Sequence, residues 1–173
     1  QSPPDAEGAR RGEERSLARL QEALDLAVES EEQAEEDLVE QARQQLMMAY
    51  RGLLERQVTV RAGTMELAEQ RPLGRRGRQA ARRLGNDQEA IRTALEAIRT
   101  DTEGLADATV FSYVHVMMDR WAEQVRERLY EAEVGRAVSD RQRRIAEAIR
   151  RQIEALEDLQ GEQPEFAQGE QAP

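Results

Sequence analysis

Ser112, His115 and Asp119 are the residues of this chain whose types and spacing most resemble reaction machinery. At i, i+3 and i+7 of a helix the three share one face, which is the residue set of a nucleophile, a base and an orienting carboxylate. Geometry argues against that use. A triad needs its nucleophile on a strained turn beside preorganised oxyanion donors, and mid-helix amides are already consumed by the helix ladder. The spacing predicts instead a polar pair of His115 with Asp119, four residues apart at the edge of an apolar stripe, worth a few tenths of a kcal/mol.

The rest of the composition removes other chemistries. All 25 basic residues are arginine, there is one histidine, and cysteine and lysine do not occur. No thiol nucleophile, thiolate metal site, Schiff-base lysine or phosphate-loop lysine can therefore be assembled. A di-iron carboxylate bundle needs Glu-x-x-His on two helices, which one histidine cannot supply. The acidic run from Glu29 to Glu40 lacks the glycine turn and oxygen-ligand spacing of a calcium loop and reads as a solvated helix face. Met117 and Met118 with Trp121, and Met47 and Met48 with Tyr50, lie at helical spacing and read as core packing rather than as a ligand box. The expectation is a non-enzymatic protein without cofactor, metal or evident small-molecule substrate.

One charge feature stands above background. Arg71, Arg75, Arg76, Arg78, Arg82 and Arg83 follow one another without an intervening carboxylate. They could meet phosphates, yet no aromatic residues are interleaved to stack bases, and the net charge of -10 disfavours nonspecific attraction to polyanions over most of the surface. An ionic contact within or between subunits, or simple solvation, is the first reading; a polyanion or nucleic-acid module is the alternative. The all-arginine usage itself reads as coding bias.

Helices must position these residues. Charged residues make up 35% of the chain and aromatics 3%, so there is little apolar material for a globular core and almost none suited to a sheet. Residues 1–12, with Pro3, Pro4, Gly8 and Gly12, and the tail 161–173 cannot bury enough surface to offset the entropy of ordering, and both are expected to be disordered. Between them, 13–160 reads as one all-α body, an elongated antiparallel bundle or coiled coil with a long first helix. That helix spans about 13–70, with Leu17, Leu20, Leu24, Val28, Leu38, Ala42, Leu46, Ala49, Leu53, Val60 and Leu67 mostly three or four residues apart. Gly52 and Gly63 within it predict bending or close helix contact. Pro72 and Gly74 end it.

A short helix over 76–84, closed by Gly85, is expected next. A second helix then opens at Asn86, with Glu89 as its capping-box partner, and breaks near Gly104 and Asp107. A third helix spans 108–134 on the stripe Phe111, Val114, Met118, Trp121, Val125, Leu129 and Ala132, with Phe111 and Trp121 mostly buried and Gly135 as a left-handed cap. Ser139 with Gln142 reads as a further capping box, opening a last helix to about 160 on Ile145, Ile149, Ile153, Leu156 and Leu159. Short connections imply antiparallel neighbours. No stretch approaches the 18 or so apolar residues of a membrane span.

The segment VFSYVHVMMDRWAEQVRERL and the isoleucine-rich RQRRIAEAIRRQIEALEDL, together with Arg56, Gln57, Thr64 and Leu67 in an RQ-x-x-x-x-x-x-T-x-x-L arrangement, give residues 50–160 a resemblance to a loose family. It resembles uncharacterised coiled-coil-rich envelope proteins of planctomycete-type bacteria. The resemblance implies a bacterial origin and an exported or envelope location, and it transfers no activity or functional residue. The start at Gln1-Ser2-Pro3-Pro4, without methionine, suits a mature exported protein or an excised piece of a longer chain.

The function expected is thus structural or interaction-based, with a protein partner or a second copy. The candidate surfaces are the arginines 71–83 and the stripe Leu17, Leu20, Leu24 and Val28. The later helices are expected to be committed to one another and to residues 38–67, which leaves that first stripe to a partner.

Overall fold

The computed structural model describes residues 6–102 and 108–161, with side chains over 15–100 and 112–158. Among them are four helices and no strand: α1 Ala6–Glu69, α2 Arg75–Thr102, α3 Ala108–Tyr130 and α4 Arg136–Gly161. The all-α antiparallel bundle expected from the sequence is what forms. Contacts divide the chain into two units, 1–44 and 45–173. The expected break near Gly104, the side chains of the stripe residues Phe111 and Leu159, and residues 1–5 and 162–173 of the terminal segments lie outside what is described.

Within the second unit, residues 45–69 of α1 and the three later helices bury a single core. Its spacing is regular. In α1 the positions Leu46, Tyr50, Leu53, Gln57, Val60, Thr64 and Leu67 are buried, alternating three and four apart, with Met47 buried beside them, and α3 repeats the pattern with His115, Met118, Ala122, Val125 and Leu129. That is a repeat of about 3.5 residues, which keeps one seam of each helix facing its neighbours over several turns. Cross-helix contacts fix the direction. Gln57 pairs with Gln88 and Gly63 packs on Leu84, Arg92 pairs with Asp119 and Asn86 with Tyr130, and Thr64 pairs with Gln142 and Arg51 with Glu157, so α1 runs against α2, α2 against α3, and α4 against α1.

Several local expectations are corrected. α1 is already helical at Ala6, ahead of the expected start at Glu13. The short helix 76–84 and the cap at Asn86 do not exist as such, because α2 runs unbroken through Gly85. A Cβ at Gly85 would lie 3.0 Å from ring carbons of Tyr130 and 3.6 Å from the Arg126 carbonyl oxygen. Close approach of α2 and α3 therefore offsets the roughly 1 kcal/mol that glycine costs inside a helix. Gly63 shows the predicted close contact, against Leu84, and Gly52 shows none.

α3 stops at Tyr130 rather than Val134. Its left-handed residue is Ala132, at φ 61°, and Gly135 has no positive φ. The amides of Ala132 and Glu133 close onto the carbonyls of Leu129 and Arg128, and this early exit carries Val134 into the core, where it is fully buried. Ser139 lies inside α4 and donates to the Arg136 carbonyl instead of opening the helix. Trp121 is half-buried against the core rather than being its anchor. The largest fully buried side chains are Tyr50, Ile91, Leu95, Met118, Leu129, Ile145, Ile149 and Leu156, together with the polar His115, Gln57, Gln88 and Gln142.

Candidate functional site

Several polar side chains of the bundle are turned inward. Gln57, Thr64, Gln88 and Gln142 are fully buried, contributed by α1, α2 and α4. Gln57 and Gln88 exchange amide bonds, the Gln88 Nε2 donating at 2.8 Å and the Gln57 Nε2 at 3.3 Å. The Gln142 Nε2 donates to Thr64 Oγ1 at 3.1 Å and to Gln88 Oε1 at 3.4 Å. Thr64 hands its own proton to the Val60 carbonyl at 2.9 Å. Three helices are thus tied by one polar layer inside an apolar core. Only the Gln142 Oε1 in this set is buried without a partner. Three of the four residues that carry the resemblance, Gln57, Thr64 and Leu67, are core residues here, and Arg56 is exposed.

Reading the sequence missed this layer, because glutamine at helical spacing looks like a solvent face. The available signal was register. Gln57 sits between Leu53 and Val60, Gln88 between Leu84 and Ile91, and Gln142 between Val138 and Ile145, each where the repeat calls for an apolar side chain.

The Ser112, His115 and Asp119 set is taken apart by the fold. His115 is buried and shares a hydrogen bond of 2.5 Å between its Nε2 and the Tyr50 hydroxyl, with the rings edge to face. The expected His115–Asp119 pair does not form. Asp119 accepts from Arg92 Nε at 2.6 Å, since α2 presents a guanidinium that outcompetes a buried neutral imidazole. Burial, assisted by the nearby Arg99 cation, lowers the His115 pKa to about 4, so the ring is neutral at ordinary pH. Burial also pushes the Tyr50 phenol well above its usual range. Two neutral partners inside an apolar core form a structural clamp between α1 and α3.

Outside the core, Arg92 and Arg126 with Glu89, Asp119 and Glu123 make an ionic ladder along α2 and α3, including Arg126 Nη1 to Glu89 Oε2 at 3.0 Å. Beside it lies a cleft of about 220 Å³ lined by Leu95, Glu96, Arg99, His115, Val116 and Asp119. Its charged groups are already matched, Arg99 to Glu96 and Asp119 to Arg92. Among the described residues no cluster of His, Asp and Glu could hold a metal ion, and no helix is long and apolar enough to cross a membrane.

The two surfaces singled out from the sequence differ in kind. Arg71, Arg75, Arg76, Arg78, Arg82 and Arg83 are all exposed, at the start of α2 and in the connection before it, and among the described residues none forms an ion pair. Arg78 uses one guanidinium nitrogen on the Leu73 carbonyl. In the first unit every residue from 15 to 39 is exposed, including Leu17 at 67%, Leu20 at 66%, Leu24 at 58% and Val28 at 47%. Compared with protein-family models, curated proteins and solved structures, the chain matches none of them.

Proposed function

We propose that this protein is a non-enzymatic scaffold or adaptor that works by helix association, and that it self-associates. The observation that supports this is the exposed stripe of Leu17, Leu20, Leu24 and Val28 on a helical segment with no buried residue between 15 and 39. A single helix without tertiary cover is marginal in water, and contiguous exposed apolar side chains mark association surfaces. The bundle adds to the reading, because its one histidine is held by Tyr50 and the charged groups lining the cleft beside it are held by ion pairs. Light scattering across a concentration series tests it. The full chain should exceed 19.7 kDa at micromolar concentration, and removal of residues 1–30 should return it to monomer mass with the bundle still cooperatively folded.

A second reading rests on the six exposed arginines, which are available to phosphates. On that reading the protein binds a polyanion, and a nucleic-acid titration would show log affinity falling steeply with log salt, by nearly one unit for each phosphate contacted. Charge reversal at Arg75, Arg76 and Arg78 would abolish that binding without loss of helicity. The envelope location implied by the resemblance belongs with the scaffold reading, and cell fractionation tests it.

A further inference from the structure

We propose that the occupant of the exposed stripe is the same segment of a second copy, running antiparallel, so that residues 17–41 of two chains form a two-stranded coiled coil centred near Glu29. This rests on the self-association reading and specifies its partner and orientation.

The register is the first argument. From Leu17 the stripe continues through Leu20, Leu24, Ala27, Glu31, Ala34, Leu38 and Gln41 with alternating steps of three and four, all exposed. This is a heptad with Leu17, Leu24, Glu31 and Leu38 at one core position and Leu20, Ala27, Ala34 and Gln41 at the other. The bundle seam of the same helix begins at Leu46 and continues through Tyr50 and Leu53, where this series would require Met48 and Gly52. The two registers are offset by two residues, so the first stripe is a separate seam and not an extension of the one already buried.

Charge then selects the orientation. Between Glu29 and Glu40 there are seven carboxylates and no arginine, whereas residues 15–28 balance Arg15 and Arg19 against Glu22 and Asp25. A parallel pair would set the two acidic runs side by side and place Glu31 against Glu31 in the core, where two like charges lose solvation without compensation. The antiparallel pair sets each acidic run beside the neutral half of its partner. Its layers become Leu17 with Gln41, Leu20 with Leu38, Leu24 with Ala34, and Ala27 with Glu31, each large side chain meeting a small or apolar one except at the ends. Flanking positions then pair Val28 with Val28, Ser30 with Ser30, Gln21 with Glu35 and Ala23 with Asp37, with no like-charge contact.

The chain contains no cysteine, so single substitutions report geometry without background. Full-length Leu20→Cys and Leu38→Cys proteins, mixed under oxidation, should form a disulfide-linked heterodimer, while neither should cross-link to itself. Self-cross-linking of Leu20→Cys would mean parallel pairing and overturn the orientation while leaving self-association intact. Light scattering of the unsubstituted chain separates the remaining outcomes. A mass of twice 19.7 kDa supports the pair, and a monomer at high micromolar concentration overturns both the orientation and the self-association reading, leaving the stripe to a different protein. Leu24→Glu, which alters an exposed position outside the bundle, should raise the dimer dissociation constant at least tenfold with helicity of residues 45–158 unchanged.

Discussion

One helix carries two heptad stripes with opposite fates. From Leu17 to Gln41 the repeat is exposed at every position, and from Leu46 to Leu67 it is buried at every position. The spacing is the same in both, and leucine recurs in both. The exposed stripe interrupts its leucines with Glu31 and Gln41, and the buried one interrupts its leucines with Tyr50, Gln57 and Thr64. Polarity within the stripe therefore does not decide burial. What decides it is whether the polar groups find partners from other helices, as Tyr50, Gln57 and Thr64 do from His115, Gln88 and Gln142.

The comparison can be broken most strongly in the core. Leu129→Ala removes a fully buried side chain and should cost about 2–5 kcal/mol in chemical denaturation, whereas Leu24→Ala, below the association concentration, should cost within about 0.5 kcal/mol. Equal costs would show that the first stripe is part of the folded core.

The polar layer should respond next. Gln88→Leu strands the amides of Gln57 and Gln142 and should cost about 1–3 kcal/mol. Replacing Gln57, Thr64, Gln88 and Gln142 together with apolar residues of similar size should recover most of that loss, because no buried group is then left unpaired. A penalty that grew with each replacement would mean that the layer stabilises the bundle rather than fixing its pairing.

Titration of His115 gives a smaller, pH-dependent effect. Its folded pKa of about 4 lies below the unfolded value near 6.5, so the unfolded chain binds the extra proton between these limits. Stability is fully present above about 6.5 and declines as pH falls toward 4, a slope that His115→Gln should flatten in melting curves. The smallest effect is expected at the exposed Arg51–Glu157 pair, where Arg51→Ala should cost less than about 1 kcal/mol and its cost should shrink further in high salt.

The helices were legible because periodicity is a local property. Apolar side chains recur at the seam of every helix, and Pro72 with Gly74 ends α1 whatever lies around them. Gly85 was not legible, since its helical breaking tendency is overruled by the Tyr130 ring that packs where a Cβ would be. The polar layer was hidden for a related reason. A glutamine between two leucines declares a core position only if another helix brings an amide to meet it.

The sequence by itself determined an all-α chain without thiol or lysine chemistry, a long first helix ended by Pro72 and Gly74, and the placement of six uncompensated arginines on a surface. Only the tertiary structure decided that His115 faces Tyr50 and Asp119 faces Arg92, that α2 passes straight through a glycine, and which of the two stripes on α1 is covered. Backbone hydrogen bonds and helix period are set within four or five residues along the chain. Pairing, desolvation and close approach depend on residues 30 to 80 positions away, as Gln57 with Gln88 and Thr64 with Gln142 show, and no local pattern contains that information.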